Sequence, residues 1–307
     1  MIGRLTRGVA GVVGAGAAAG ALAAAWGVGI ERHLYTVRHH VVRILEPDAR
    51  PIRVLHLSDA HMAPWQRRKQ DWIARLAGLR PDLIVNTGDN LGHPDGLRGI
   101  RAAFAPFAGV PGVFVHGSND LYAPTPKNPF QYLAGPSRRH SEPTRLDTDA
   151  LDAYLSDELG WRRIDNTAVR MTVAGSYLRF AGTDDAHHGS DRVDDTLAAL
   201  AALGGDGPTI GVTHAPYRRI LSALAGAGAD MLFAGHTHGG QVRVPFVGAL
   251  VGNCDLPLSQ VRGLSTWTHD GRSVPLNVSA GLGHSIYAPV RFACRPEASL
   301  LTLAPRV

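Results

Sequence analysis

The sequence predicts an α/β fold in which two β-sheets pack face to face with helices on their outer sides. Three observations lead there. The apolar runs IRVLHLSD, LIVNTGDN and GVFVHGSND read as buried strands that end in polar residues. At those ends Asp59, Asp89 and Asn119 are spaced by 30 and 30 residues, the length of a strand–helix–strand unit. The later part of the chain is strand-rich instead. With 307 residues, 45% hydrophobic and 19% charged, the chain suits one large or two smaller domains.

From Gly8 to Ile30 there is no charged residue, and Arg4 and Arg7 precede the stretch. Its length is enough to cross a bilayer core, although Ala and Gly dominate it. AxA-type sites around Ala21–Ala25 leave cleavage open. The expectation is a single N-terminal membrane anchor or signal sequence over 1–30, with an extracytoplasmic catalytic domain behind it. Residues 31–50 read as a basic linker, and 51–307 as the folded domain.

Within that domain the first strand leads to a helical face of Trp72, Ile73, Leu76 and Leu79. The second leads to another, of Leu97, Ile100, Phe104 and Phe107. Residues 121–148, rich in Pro, Arg and Ser, read as a long loop, either a lid or disordered. Then come a helix near Asp149–Leu159, a hairpin TAVRMTV–AGS–YLRFAG and a helix over Asp191–Leu203. PTIGVTH is a strand, YRRILSALAGAG a helix, and DMLFAGHTH another strand. Short strands around Gln241–Val244, Leu276–Ser279 and Leu300–Leu303 complete the chain.

Net charge is +5, carried by scattered arginines with no long basic tract interleaved with aromatics, so no nucleic-acid partner is expected. The two cysteines, Cys254 and Cys294, lack zinc or CxxC spacing and read as ordinary thiols.

The chemistry sits at the strand ends. Asp59 and His61 are two apart, so an extended segment points them the same way. Asp89 follows a glycine that lets the backbone turn. His214, His236 and His238 come from two later strand ends. Carboxylate, amide oxygen and imidazole suit borderline divalent metals such as Mn, Fe or Zn. A shared acidic residue lets two ions sit ~3.5–4 Å apart. His56, His116, His187, His188 and His284 read as hydrogen-bonded structural residues. Asp184 and Asp185, in GTDDAHHGS, read as a turn with a helix N-cap.

The series DxH, GDN, GSND, THxP and GHTHGGQ resembles the calcineurin-like metallophosphoesterase superfamily over about residues 52–303. GHTHGGQ continuing into VRVPFVGAL, with SAGLGHSIYAPVRFACRPE, is similar to its bacterial membrane-associated phosphodiesterase branch. That branch includes enzymes that split UDP-diacylglucosamine at its pyrophosphate. The resemblance implies a four-layer αββα sandwich and two divalent metal ions, Mn foremost. Asp59, His61, Asp89 and His238 would hold one ion. Asp89, Asn119, His214 and His236 would hold the other, with Asp89 bridging. Asn90 would position substrate or bound water, and Gln241 would stand behind the ligands. The implied reaction is attack of a metal-activated hydroxide on a phosphodiester or pyrophosphate. The implied substrate is a phosphorylated small molecule or a lipid- or nucleotide-linked envelope compound, reached at a membrane.

One motif departs from the family's GNH(D/E). Without a gap, Ser118 falls on the ligand Asn and Asn119 on the catalytic His. With a one-residue bulge, Asn119 keeps the ligand role and Asp120 takes the histidine's place. Neutral serine is a poor ligand, which favours the bulged register. Either way no imidazole stands where the family has its proton donor, and Asp120, if protonated, is the partial replacement. A phosphomonoesterase, and a non-catalytic scaffold that keeps the fold for protein binding, are the alternatives.

Overall fold

The structure, a computed structural model, describes residue 16, residues 18–126 and residues 144–306. Most of the loop expected over 121–148, and residues 1–15 of the expected anchor, lie outside the described residues.

Two six-stranded mixed sheets form the body. The first has the order β1 (Thr36–Leu45), β14 (Glu297–Pro305), β2 (Ile52–Leu57), β3 (Leu83–Asn86), β4 (Gly112–Phe114) and β5 (Trp161–Arg163). β2 through β5 run parallel, as their helical crossovers require, while β14 is antiparallel to β2 and parallel to β1. The second has the order β12 (Gly263–His269), β13 (Arg272–Val278), β9 (Met231–Ala234), β8 (Thr209–Thr213), β7 (Ser176–Thr183) and β6 (Thr167–Val173). Its outer pairs are hairpins and its centre is parallel. A small hairpin, β10 (Arg243–Val244) with β11 (Gly248–Ala249), stands apart.

Three apolar layers hold this together. Between the sheets, Val54, Val85, Val113 and Leu301 from one face meet Phe180, Val212 and Phe233 from the other. Outside the first sheet, α2 (Arg67–Arg75), α3 (Gly96–Phe104) and, beyond the short α4 (Ser118–Leu121), α5 (Thr148–Ala153) bury Ile73, Ile100, Phe104 and Leu151 against Leu55, Leu57, Ile84 and Phe114. Outside the second, α6 (Val193–Leu203) and α7 (Arg218–Gly226) bury Leu200, Ile220, Leu221 and Leu224 against Ala181, Leu232 and Leu276. Central strands are buried on both faces, which is why they read as continuous apolar runs.

Two expectations are corrected here. The basic linker of 31–50 is largely β1, an edge strand whose Val42, Ile44 and Leu45 are buried while Val41 is exposed. Its partner β14 lies some 260 residues away, so no local pattern announces the pairing. The membrane anchor is corrected too. Residues 18–29 form a helix, α1, but no helix among the described residues is long and apolar enough to cross a membrane. Its end packs on the domain instead. The Arg291 N–H donates to the Gly27 carbonyl at 3.1 Å. The buried Glu31 carboxylate just beyond accepts from the Trp26 indole at 2.9 Å and from the Ala293 and Cys294 amides at 3.0 and 2.8 Å.

Candidate metal centre

The predicted strand ends converge at one end of the sandwich. β2 delivers Asp59 and His61, β3 delivers Asp89, the turn after β4 delivers Asn119, β8 leads to His214, and β9 leads to His236 and His238. This is the carboxyl edge of the parallel strands, where α/β sheets place their ligands. The backbone there is under strain. Asp59, His61, Asp89, His236 and His238 all adopt left-handed φ values between 39° and 65°. Non-glycine residues visit that region at a cost of order 1–3 kcal/mol each, and such outliers gather at functional sites.

Asp59, His61 and His238 have ligand-capable atoms within 4.8 Å of one another, and so do Asp59, Asp89 and His214. Asp59 belongs to both groups. Asp89 Oδ2 lies between the halves, 3.4 Å from His61 Nε2 and 3.6 Å from His214 Nε2. His238 Nε2 stands 3.5 Å from Asp59 Oδ1 and 3.1 Å from His61 Nε2. His236 belongs to neither group. Its backbone N–H donates to both Asp59 oxygens at 3.1 and 3.0 Å, and its ring lies 5.1 Å from that of His214.

Asn119 lies against Asp89, its backbone N–H on Oδ1 and its side-chain Nδ2 on Oδ2, both at 2.8 Å. The preceding Gly117 is required by this closeness, because a Cβ there would overlap Asp89 Oδ1 and sit 2.7 Å from the His214 ring.

Two sequence expectations change at this point. Asp120, the expected proton donor, is fully buried, and its carboxylate accepts from the amides of Asp89 (2.8 Å), Asn90 (2.7 Å), Leu91 (3.4 Å) and Gly117 (3.0 Å). It ties the turn after β4 to the loop after β3. Burial pushes its pKa up to about 6, against the pull of His116 and the amide bonds. Asn90, expected to position substrate, is buried and its amide pairs reciprocally with that of Asn86 at 2.8 and 3.2 Å. Gln241 donates to the Ala288 carbonyl, holding the GHTHGG turn to a later loop.

Several contributors had no signal in the sequence beyond their residue type. A buried relay of hydrogen bonds orients Asp59. Asn277 Nδ2 donates to His56 Nδ1 (2.9 Å), His56 Nε2 to Thr87 Oγ1 (2.9 Å), Thr87 to Ser58 (2.6 Å), and Ser58 to Asp59 (2.5 Å). Burial drives the His56 pKa down to about 3, so the ring is neutral and its tautomer follows from the relay. In GTDDAHHGS, Asp185 is wholly buried and accepts from His188 Nδ1 at 2.8 Å and from the His187 amide at 2.9 Å. The His187 ring lies 4.4 Å from that of His236 and bonds the Tyr217 hydroxyl at 2.9 Å. The turn expected there is present, and it also lines the centre.

The electrostatics suit a cation. Burial raises the Asp59 pKa to about 6, aided by Asp89 and opposed by His214. Burial alone would lower His214, yet Asp89, Asp59 and Asp185 lift it to about 9. A proton on His214 is thus balancing carboxylates that have little else to balance them. The buried His214 Nε2 has no hydrogen-bond partner among the described residues, a costly arrangement unless something binds there. Since His214 Nδ1 bonds the Thr87 carbonyl at 2.7 Å, its Nε2 lone pair is free to face the centre once the ring is neutral. Carboxylates and imidazoles in this array fit divalent cations of the Mn, Fe and Zn type.

Residues 52–240 match the calcineurin-like phosphoesterase family. The chain is 26% identical to the metallophosphoesterase YkuE of Bacillus subtilis (strain 168) over 93% of both chains. It is 26% identical to the phosphodiesterase YaeI of Escherichia coli (strain K12) over 87% of both. A Bos taurus transmembrane protein with a metallophosphoesterase domain is also 26% identical, over 66% of this chain and 43% of its own, so the match spans less than half of that relative. The chain belongs to the calcineurin-like phosphoesterase family and is, by that membership, a metal-dependent phosphoric ester hydrolase.

Proposed function

We propose that the protein hydrolyses phosphodiester or pyrophosphate bonds by means of two divalent cations. Asp59, His61, Asp89 and His238 would hold one, and Asp89, Asn119, His214 and His236 the other. The observation that carries this reading is the approach of His61 and His214 to a single oxygen of Asp89, at 3.4 and 3.6 Å. One carboxylate oxygen so placed is available to both halves. With Asn119 Nδ2 on Asp89, its Oδ1 is the atom left for a cation. When bound, the ions would supply charge for the phosphoryl oxygens and lower the pKa of water towards neutrality.

The chain's own side chains narrow the substrate class. Asn119 carries an amide and no proton to give at neutral pH, and Asp120 is committed to backbone amides. General-acid help is typically worth ~10²–10⁴ in rate, most of all for a poor leaving group such as an alkoxide. The preferred substrates are therefore esters whose leaving oxygen departs without a proton: aryl diesters, nucleotide diesters and pyrophosphates. The test is purified protein with Mn²⁺ on an aryl phosphodiester, a nucleotide diphosphate ester and an alkyl phosphomonoester. The first two are turned over faster, and a preference for the alkyl monoester would refute the proposal.

A further inference from the structure

The two halves of the centre are supported from behind in different ways. A histidine that holds a metal usually gives the N–H of its other ring nitrogen to an oxygen acceptor, which fixes the tautomer and enriches the ligand atom. His214 obeys this, with Nδ1 on the Thr87 carbonyl at 2.7 Å. His236 Nε2 faces both the carbonyl oxygen and the side-chain Nδ2 of Asn253, each at 3.1 Å. Buried Asp185 adds a negative charge on the same side, against His188.

His238 differs in facing a guanidinium. Its Nδ1 meets a donor, Arg291 Nη2, at 3.1 Å. Arg291 is fully buried, and its guanidinium also donates to the carbonyls of His238 (3.0 Å), Gly281 (3.5 Å) and Gly283. On the same side His61 Nδ1 has no hydrogen-bond partner among the described residues. A donor on Nδ1 obliges that atom to present its lone pair, so the proton of the neutral ring falls on Nε2. That is the atom 3.5 Å from Asp59 Oδ1.

We infer that Arg291 makes the Asp59–His61–His238 half the weaker and more exchangeable of two cation positions, and the Asp89–His214–His236 half the tighter. This rests on the dinuclear reading above. Arg291 is a positioning residue: it acts through His238 and sets the difference in affinity between the halves. The 291–294 loop that carries it is fastened by Gly27 and Glu31, which places the end of α1 behind the same half.

The experiment is a titration of the metal-stripped full chain with Mn²⁺ alone, followed by calorimetry and by metal content after equilibrium dialysis. The expected result is two binding steps, the second weaker by about tenfold or more, the scale on which groups behind metal ligands act. His238→Ala should remove the weak step and leave the tight one, while His214→Ala should remove the tight one. Arg291→Gln should strengthen the weak step by about tenfold and leave the other unchanged. Two equal steps, or loss of the tight step in His238→Ala, would overturn the inference while leaving the dinuclear reading intact. No binding at all would overturn both. If Arg291→Gln does not fold by circular dichroism, the wild-type titration and the two histidine variants still decide.

Discussion

Asn119 is fastened to Asp89 twice, backbone N–H to Oδ1 and side-chain Nδ2 to Oδ2, each at 2.8 Å. The motif that departs most from its family therefore grips the carboxylate that stands between the two halves of the centre. Asp89→Asn should break that arrangement, because an amide offers one acceptor oxygen in place of two. The expected result is loss of at least one bound ion per chain by elemental analysis. Phosphodiesterase activity should fall by more than about 100-fold, beyond the usual effect of groups behind metal ligands.

Gly117→Ala should act on the same residues through space alone. The added methyl group has no room between Asp89 and the His214 ring. Overpacking of this kind typically costs about 1–3 kcal/mol. Urea unfolding should show that loss, and metal content should fall with it. An alanine variant with unchanged stability and metal content would contradict the crowding.

Asp120→Ala should behave as a folding defect. Four amide donors lose their acceptor, and each buried donor left unpaired costs about 1–3 kcal/mol. The expected loss is at least about 3 kcal/mol by denaturant titration. If Asp120 were the proton donor, the variant would instead keep its stability and lose the alkaline limb of its pH–rate profile.

His116 sits between two carboxylates, Nδ1 on Asp165 at 2.5 Å and Nε2 on Asp152 at 2.7 Å, with Arg163 beside both. Burial lowers its pKa, but Asp165 and Asp152 outweigh that and hold it well above 6.5. A histidine raised on folding contributes stability that is complete below pH 6.5 and is lost as pH climbs through the raised value. Stability should therefore decline on the alkaline side of neutrality. His116→Ala should cost about 3 kcal/mol, as for a buried pair that loses one partner, and should flatten that decline. Thermal unfolding from pH 6 to pH 10 measures both.

The legible part of this protein follows from burial. IRVLHL, LIVN and MLFA are apolar because both faces of their strands are covered, so DAH, GDN and GHTH stand out at their ends. Chain spacing gave the parallel order for the same reason. β1 was hidden because it is an edge strand whose pairing depends on a segment at the other end of the chain. Arg291 was hidden because one arginine in a loop looks like any solvated charge; only the carbonyls of Gly281 and Gly283 and the ring of His238 around it reveal its place. Asp184 and Asp185 read as a turn and His187 as a structural residue, yet the turn brings the His187 ring to 4.4 Å from that of His236. Of the N-terminal stretch the structure describes residue 16 and the helix over 18–29, and that helix is not long and apolar enough to cross a membrane.

The place of β14 between β1 and β2 bears on how the molecule comes into being. β1 cannot find its neighbour until β14, far along the chain, has left the ribosome. During synthesis, β1 and the near edge of β2 wait with open hydrogen-bonding groups, an invitation to chaperones or to mispairing. Trimming the final few residues of β14 should unzip two seams at once, so the nascent chain commits to its architecture only once β14 has been made.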